Sequence, residues 1–212
     1  MALNVSDMVD EIVAFLPSEW QPGYAMANSP SKEWMTALCT DAAAMWATIV
    51  LTPGLGPPSL PPYNHGHTVL TPVTPITTAL FALGPPNYQP VALRNTMFIN
   101  VATQIALHLS ASVIIAPVDS AIGAVTHDHT LAAVGVPQNP FVGLSATAAT
   151  MKASIVSALT GAGFVNVAIP YPSGVPSLDT LFGAVSEGML LHMEDNGQLS
   201  MSVGSGHVHA LS

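Results

Sequence analysis

Apolar side chains recur every three to four residues at Val5, Met8, Val9, Ile12, Val13 and Leu16, which predicts an amphipathic helix with Ser6 as its cap and Pro17 as its stop. After a loop over 18–31 containing Trp20, Pro22, Tyr24 and Pro30, the spacing predicts a second helix from Lys32 to about Val50. Its apolar face holds Trp34, Met35, Leu38, Ala42, Met45, Trp46 and Ile49. A short apolar helix is expected near Ile76 to Leu83, and a third main helix from Val91 to about Leu109. The fourth runs from Ser145 to Leu159, with Gly161-Ala162-Gly163 as a C-terminal cap. The last spans Ser177 to His192 and carries Asp179 in its first turn, where a carboxylate favours the helix dipole.

Shorter apolar runs predict strands at Ser112 to Pro117, from Ile122 into His127 and His129, at Phe164 to Ile169 and at Leu199 to Val203, with Asn196-Gly197 as a hairpin turn. From Thr52 to Pro62 the prolines remove backbone donors and fix φ, so this stretch is expected to be an extended connector and not a central strand. The fold class that follows is α+β, about five helices with short β-hairpins. A helix, an extended stretch and a His-x-His pair followed by leucine recur over roughly Glu33 to Leu70, Val91 to Leu131 and Ser177 to Leu211. That recurrence predicts three divergent helix–hairpin repeats around a pseudo-threefold axis. The chain then divides into 1–70, 71–135 and 136–212, three units that can also form one domain.

Charge changes the picture. Only 7% of the 212 residues are charged: Lys32, Arg94 and Lys152 face twelve carboxylates, for a formal net charge of −9. An ordinary soluble domain carries roughly 25% charged residues. A surface this poor in charge is expected to be covered by partners, in a homo- or hetero-oligomer. Three cations cannot grip a phosphate backbone, so nucleic acid is excluded as a partner. The uncharged stretch between Arg94 and Asp119 is interrupted by Asn95, Asn100, Thr103, Gln104, His108, Ser110 and Ser112, so no stable membrane span is expected. Asp7, Asp10 and Glu11 precede any basic residue, which does not read as a secretory signal and predicts a chain made in the cytoplasm. Cys39 is the single cysteine and reads as a small buried hydrophobe.

Six of the eight histidines form three pairs: His65 and His67, His127 and His129, His207 and His209. In a strand, residues i and i+2 share a face, so each pair can aim two imidazoles at one point. Six imidazoles from three strands would fill an octahedron, which suits iron first, with nickel or zinc as the alternatives, although zinc prefers four ligands. The pairs can converge within one chain or across three chains of a homotrimer. His108 and His192 sit on helical segments and read as core or interface residues.

Three strands each giving His-x-His to one octahedral iron resembles the tip of the central spike of contractile phage tails. The resemblance rests on Asn64-His65-Gly66-His67, Thr126-His127-Asp128-His129 and Gly206-His207-Val208-His209. It implies a virion structural protein of the tail, baseplate or spike region, with other virion proteins as partners and a structural iron. Here the three pairs lie in one polypeptide, whereas the spike tips draw theirs from three identical chains.

Enzyme patterns are wanting. Neither His67 nor His129 is followed by the Asp-His of a metallo-β-lactamase-like site, and no Glu lies between Glu33 and Glu187 to complete a cupin-like one. No G-x-S-x-G elbow or phosphate-binding loop occurs. The alternatives to a structural, non-enzymatic metal protein are a metal-dependent enzyme with an open coordination position and a metal-free packing subunit.

Overall fold

The computed structural model describes residues 3–27, 29–53, 67–69, 72–78, 91–115, 120–122, 126–128, 131–132, 136–137, 141, 143–164, 177–197, 199–200 and 209–211. Helix α1 covers Val5–Phe15 and is capped by Asn4, whose Oδ1 accepts from the N–H groups of Ser6 at 3.0 Å and Asp7 at 3.5 Å. The cap therefore falls two residues before the serine expected to provide it. The following stretch, expected as a loop, contains a short helix α2, Gln21–Ala25, with Pro22 in its first turn. Helix α3, Pro30–Ala47, starts where Ser29 Oγ accepts from the Lys32 N–H at 3.1 Å.

Helix α4 covers Val91–Ser112, and α5 covers Ala148–Gly161 after a single 3₁₀ turn at Ser145–Thr147. At the end of α5, Gly163 sits at φ +91°, the Phe164 N–H reaches Leu159 O and the Gly163 N–H reaches Thr160 O, both at 3.0 Å. That is the double hydrogen bond of a Schellman cap, at the glycine the sequence offered for it. Helix α6, Leu178–Asn196, is capped by Ser177 accepting from the Thr180 N–H. It runs through Asn196, so Asn196-Gly197 closes a helix and is not a hairpin turn.

The five longer helices touch one another in chain order, α1 on α3, α3 on α4, α4 on α5, α5 on α6, and α6 back on α1. Helix α6 is buried on nearly every side, through Leu178, Phe182, Val185, Met189, Leu190 and Met193 among others. Trp34 of α3 meets Phe182 edge-on with ring centroids 6.4 Å apart, and Trp46 meets Phe141 at 4.9 Å. The hydrophobic core gathers residues from Leu3 to Met193, drawing on each of the three segments delineated from sequence.

Strand segments are only two to four residues long: β1 Val50–Pro53, β2 His67–Val69, β3 Ile114–Ile115, β4 Ser120–Ile122, β5 Thr126–Asp128, β6 Leu131–Ala132, β7 Val136–Pro137, β8 Leu199–Ser200 and β9 His209–Leu211. Five of them join in the order β3-β2-β1-β9-β8, and β4–β5 and β6–β7 form separate two-stranded ladders, all antiparallel.

Two expectations are overturned. Among the described residues the structure is mostly helical, with six α-helices of more than one residue, and it is not an α+β fold. Among the residues whose burial is described, helices supply most of the buried apolar side chains, and the described strand segments are shorter than the usual five to six residues. Nor are there three equivalent helix–hairpin units about a threefold axis. The first and third histidine motifs reach one ladder system, the second reaches another, and five helices close the ring. A smaller correction concerns Pro53, which ends β1, the middle strand of the five-stranded order. At a strand end its missing N–H costs little. The expected helix near Ile76 to Leu83 and the expected strand at Phe164 to Ile169 lie largely outside the described residues, as does most of the 52–62 connector.

Candidate metal centre

His67 opens β2 and stands opposite Pro53 of β1 on one side and Ile115 of β3 on the other. His209 opens β9 and stands opposite Leu51 of β1. Leu51 and Pro53 are two residues apart on one strand, so the two histidines hold same-face register positions on either side of β1. Strands β2 and β9 both run antiparallel to β1 and so run parallel to each other. His127 lies in β5, opposite Ala121 of β4, in a different ladder. His65, His129 and His207 lie outside the described residues. Among the described residues no group of three or more His, Cys, Asp or Glu side chains is placed to hold a metal ion.

The two remaining histidines serve the helical core. His108 of α4 places Nε2 2.8 Å from Thr147 Oγ1, whose own hydroxyl donates to Leu144 O at 2.6 Å. With that proton committed, Thr147 accepts, so His108 carries its hydrogen on Nε2. Burial lowers the His108 pKa below its ordinary 6.5 and keeps the ring neutral. His192 of α6 is 1% exposed and sets Nδ1 3.3 Å from Glu11 Oε1 of α1, while Asn196 Nδ2 donates to the His192 carbonyl at 3.1 Å. His192 Nε2 and Glu11 Oε2 are buried with no hydrogen-bond partner among the described residues.

Two further polar features had no signal in the sequence because their partners are far apart along the chain. Glu194, in the last turn of α6, accepts from the N–H groups of Gly143 at 3.0 Å and Ser145 at 2.7 Å, capping the turn that leads into α5. Partial burial works to raise its pKa, but the hydrogen bonds from the Ser145 side chain and the two backbone groups prevail and lower it. Across α5 and α6, Lys152 Nζ lies 3.2 Å from Asp179 Oδ1, at the side of a cleft of about 280 Å³ edged by Phe15, Thr180, Gly183 and Glu187. Cys39 is fully buried, and desolvation pushes its thiol pKa well up, so it offers no thiolate. Among the described residues no helix is long and apolar enough to cross a membrane. Set against protein-family models, curated proteins and solved structures, the chain matches none of them.

Proposed function

We propose that this chain is a structural, non-enzymatic subunit of a large protein assembly, of the kind built into the tail or baseplate of a phage particle, and that its His-x-His pairs hold a structural transition metal. The observation that carries the reading is the chemistry of the exposed faces of α4 and α5. On α4, Ile99 is 50% and Leu107 54% exposed, with half-buried Asn100, Thr103 and Gln104 between them and no charge after Arg94. On α5 the exposed positions are Ala149, Thr150, Ala153, Ser157, Thr160 and Gly161. Faces so short of charge keep a free protein poorly soluble but lie easily against a neighbouring subunit.

The ionisable groups of the core support the same reading. His108 ties α4 to the turn before α5, and His192 with Glu11 ties α6 to α1, so these groups are engaged in holding helices together. The H-x-H reading gains support from His67 and His209 sharing one sheet. Sedimentation analysis combined with elemental analysis of the purified chain tests both halves. Self-association, or capture into a particle, with stoichiometric metal is the expected result; a metal-free monomer that stays soluble at high concentration would overturn it.

A further inference from the structure

We infer that the outward face of α4 is a self-complementary docking surface, and that its occupant is a second copy of this chain laid antiparallel across a twofold axis at Thr103. This rests on the assembly reading above and deepens it by naming the partner. Among the described residues, Ile99 and Leu107 are the one pair of exposed large apolar side chains that share an element. Thr103 lies four residues from each, and half-buried Thr96 and Ser110 lie seven residues to either side of it. An antiparallel copy therefore sets Ile99 against Leu107 and Thr96 against Ser110, each contact made twice, as an isologous interface requires. The two apolar residues stand about 12 Å apart along the helix axis. The threonine between them is small enough for two helices to approach to the usual spacing of roughly 8–10 Å.

Charge selects the copy over a partner of opposite sign. The chain carries a formal net charge of −9, so two copies meet at least cost where carboxylates are absent. Nine of the twelve carboxylates lie on the other three long helices: Asp7, Asp10 and Glu11 on α1, Glu33 and Asp41 on α3, and four on α6. Helices α4 and α5, neighbours in the ring, hold none. A cationic partner would be drawn to the carboxylate-bearing helices and gain nothing at α4, whereas an uncharged face suits a copy of itself. Asn100 and Gln104, half-buried on this face, each bring an amide that both donates and accepts, so either can bond to its own kind across the axis.

The test is sedimentation of the full native chain alone over a range of concentrations, which is expected to show a reversible dimer. Ile99→Lys/Leu107→Lys and Ile99→Glu/Leu107→Glu are each expected to raise its dissociation constant at least 10-fold while keeping helical circular dichroism. Mixed in equal amounts, the two variants are expected to recover association and to lose it again in high salt, because their faces then meet with opposite charge. Should either fail to fold, Thr103→Cys takes its place and is expected to be joined to its copy by a short bis-maleimide, with Thr36→Cys on the exposed side of α3 staying unlinked; Cys39 is fully buried and does not compete. A native chain that associates while the mixed variants stay apart, or a Thr103→Cys chain that is not linked, would overturn the isologous face and leave the assembly reading standing. A native chain that stays monomeric overturns the inference as well, and it overturns the wider reading only if that chain also holds no metal and enters no particle.

Discussion

Gly188 of α6 lies so close to Ile12 of α1 that a Cβ on the glycine would sit 2.5 Å from the Ile12 Cα and 2.6 Å from its backbone nitrogen. The obstacle is backbone, which no rotamer change can move aside. The two helices meet at this point because one residue has no side chain, and the apolar neighbours Ile12, Val185 and Met189 are fully buried around the crossing.

Gly188→Ala is therefore expected to force the helices apart and to lower stability by about 1–3 kcal/mol, the usual cost of overpacking. Gly183→Ala, five residues earlier on the same helix, is the control. Its Cβ would meet only Lys152 Cδ at 3.5 Å, an ordinary contact, and it removes a helix glycine worth up to about 1 kcal/mol. Urea denaturation of the two variants should move the midpoint in opposite directions.

Gly197 offers a second test of close packing, read by fluorescence. A Cβ there would come within 2.5 Å of both Met193 O and Trp46 Cζ2 and within 2.9 Å of Phe141 Cε2. Gly197→Ala should displace the Trp46–Phe141 pair, shift tryptophan emission and cost about 1–3 kcal/mol. Unchanged emission and stability would show that Trp46 does not occupy this site.

Stability should fall on acidification in two stages. His108 has its folded pKa lowered below 6.5, so the unfolded chain takes up the proton first and stability declines as pH drops from about 6.5 through the folded value. Glu194 has its folded pKa lowered below 4.5, so its contribution is present above 4.5 and is lost as pH falls through its folded value. His108→Gln should remove the upper stage and Glu194→Gln the lower one, as read from denaturation midpoints over pH 3–8. At neutral pH, Glu194→Gln should cost about 1 kcal/mol, in line with weakening a helix cap at a partly solvated position.

Metal retention should follow the protonation of imidazole, because only the neutral ring binds. Stoichiometric metal at pH 7.5 is expected to be released as pH falls through about 6. Elemental analysis after dialysis across this range checks it, and a metal content independent of pH would point to ligands other than histidine.

Ile99→Lys with Leu107→Lys should reduce association without loss of helix, since both side chains are half exposed and add little to the core. Sedimentation and circular dichroism on the same samples separate the two effects. Unaltered association would place the contact surface elsewhere.

The 3.6-residue spacing of Met8, Ile12 and Val13, and of Trp34, Leu38 and Met45, was enough to locate helices, because burial of one face repeats with the helical turn. Cys39, His108 and His192 were legible as interior residues, and Gly163 as the end of α5, since local backbone chemistry specifies such a cap. Helix boundaries followed less closely: Asn4 and not Ser6 caps α1, a choice made by which side chain reaches the free N–H groups. The strand expected from Leu199 appears as β8 at Leu199–Ser200, paired with β9, and the rest of that run lies outside the described residues.

Sequence alone thus determined where most helices lie, which of their faces turn inward, and that histidines come in spaced pairs, all properties of neighbours along the chain. Tertiary structure decided what depends on residues far apart: that the helices close a ring in chain order, that Gly188 admits Ile12, that Glu194 caps the approach to α5, and that β1 stands between the strands of His67 and His209 while His127 joins another ladder. Register and close approach are set by packing over long separations, and a periodic pattern carries no record of which partner it will meet.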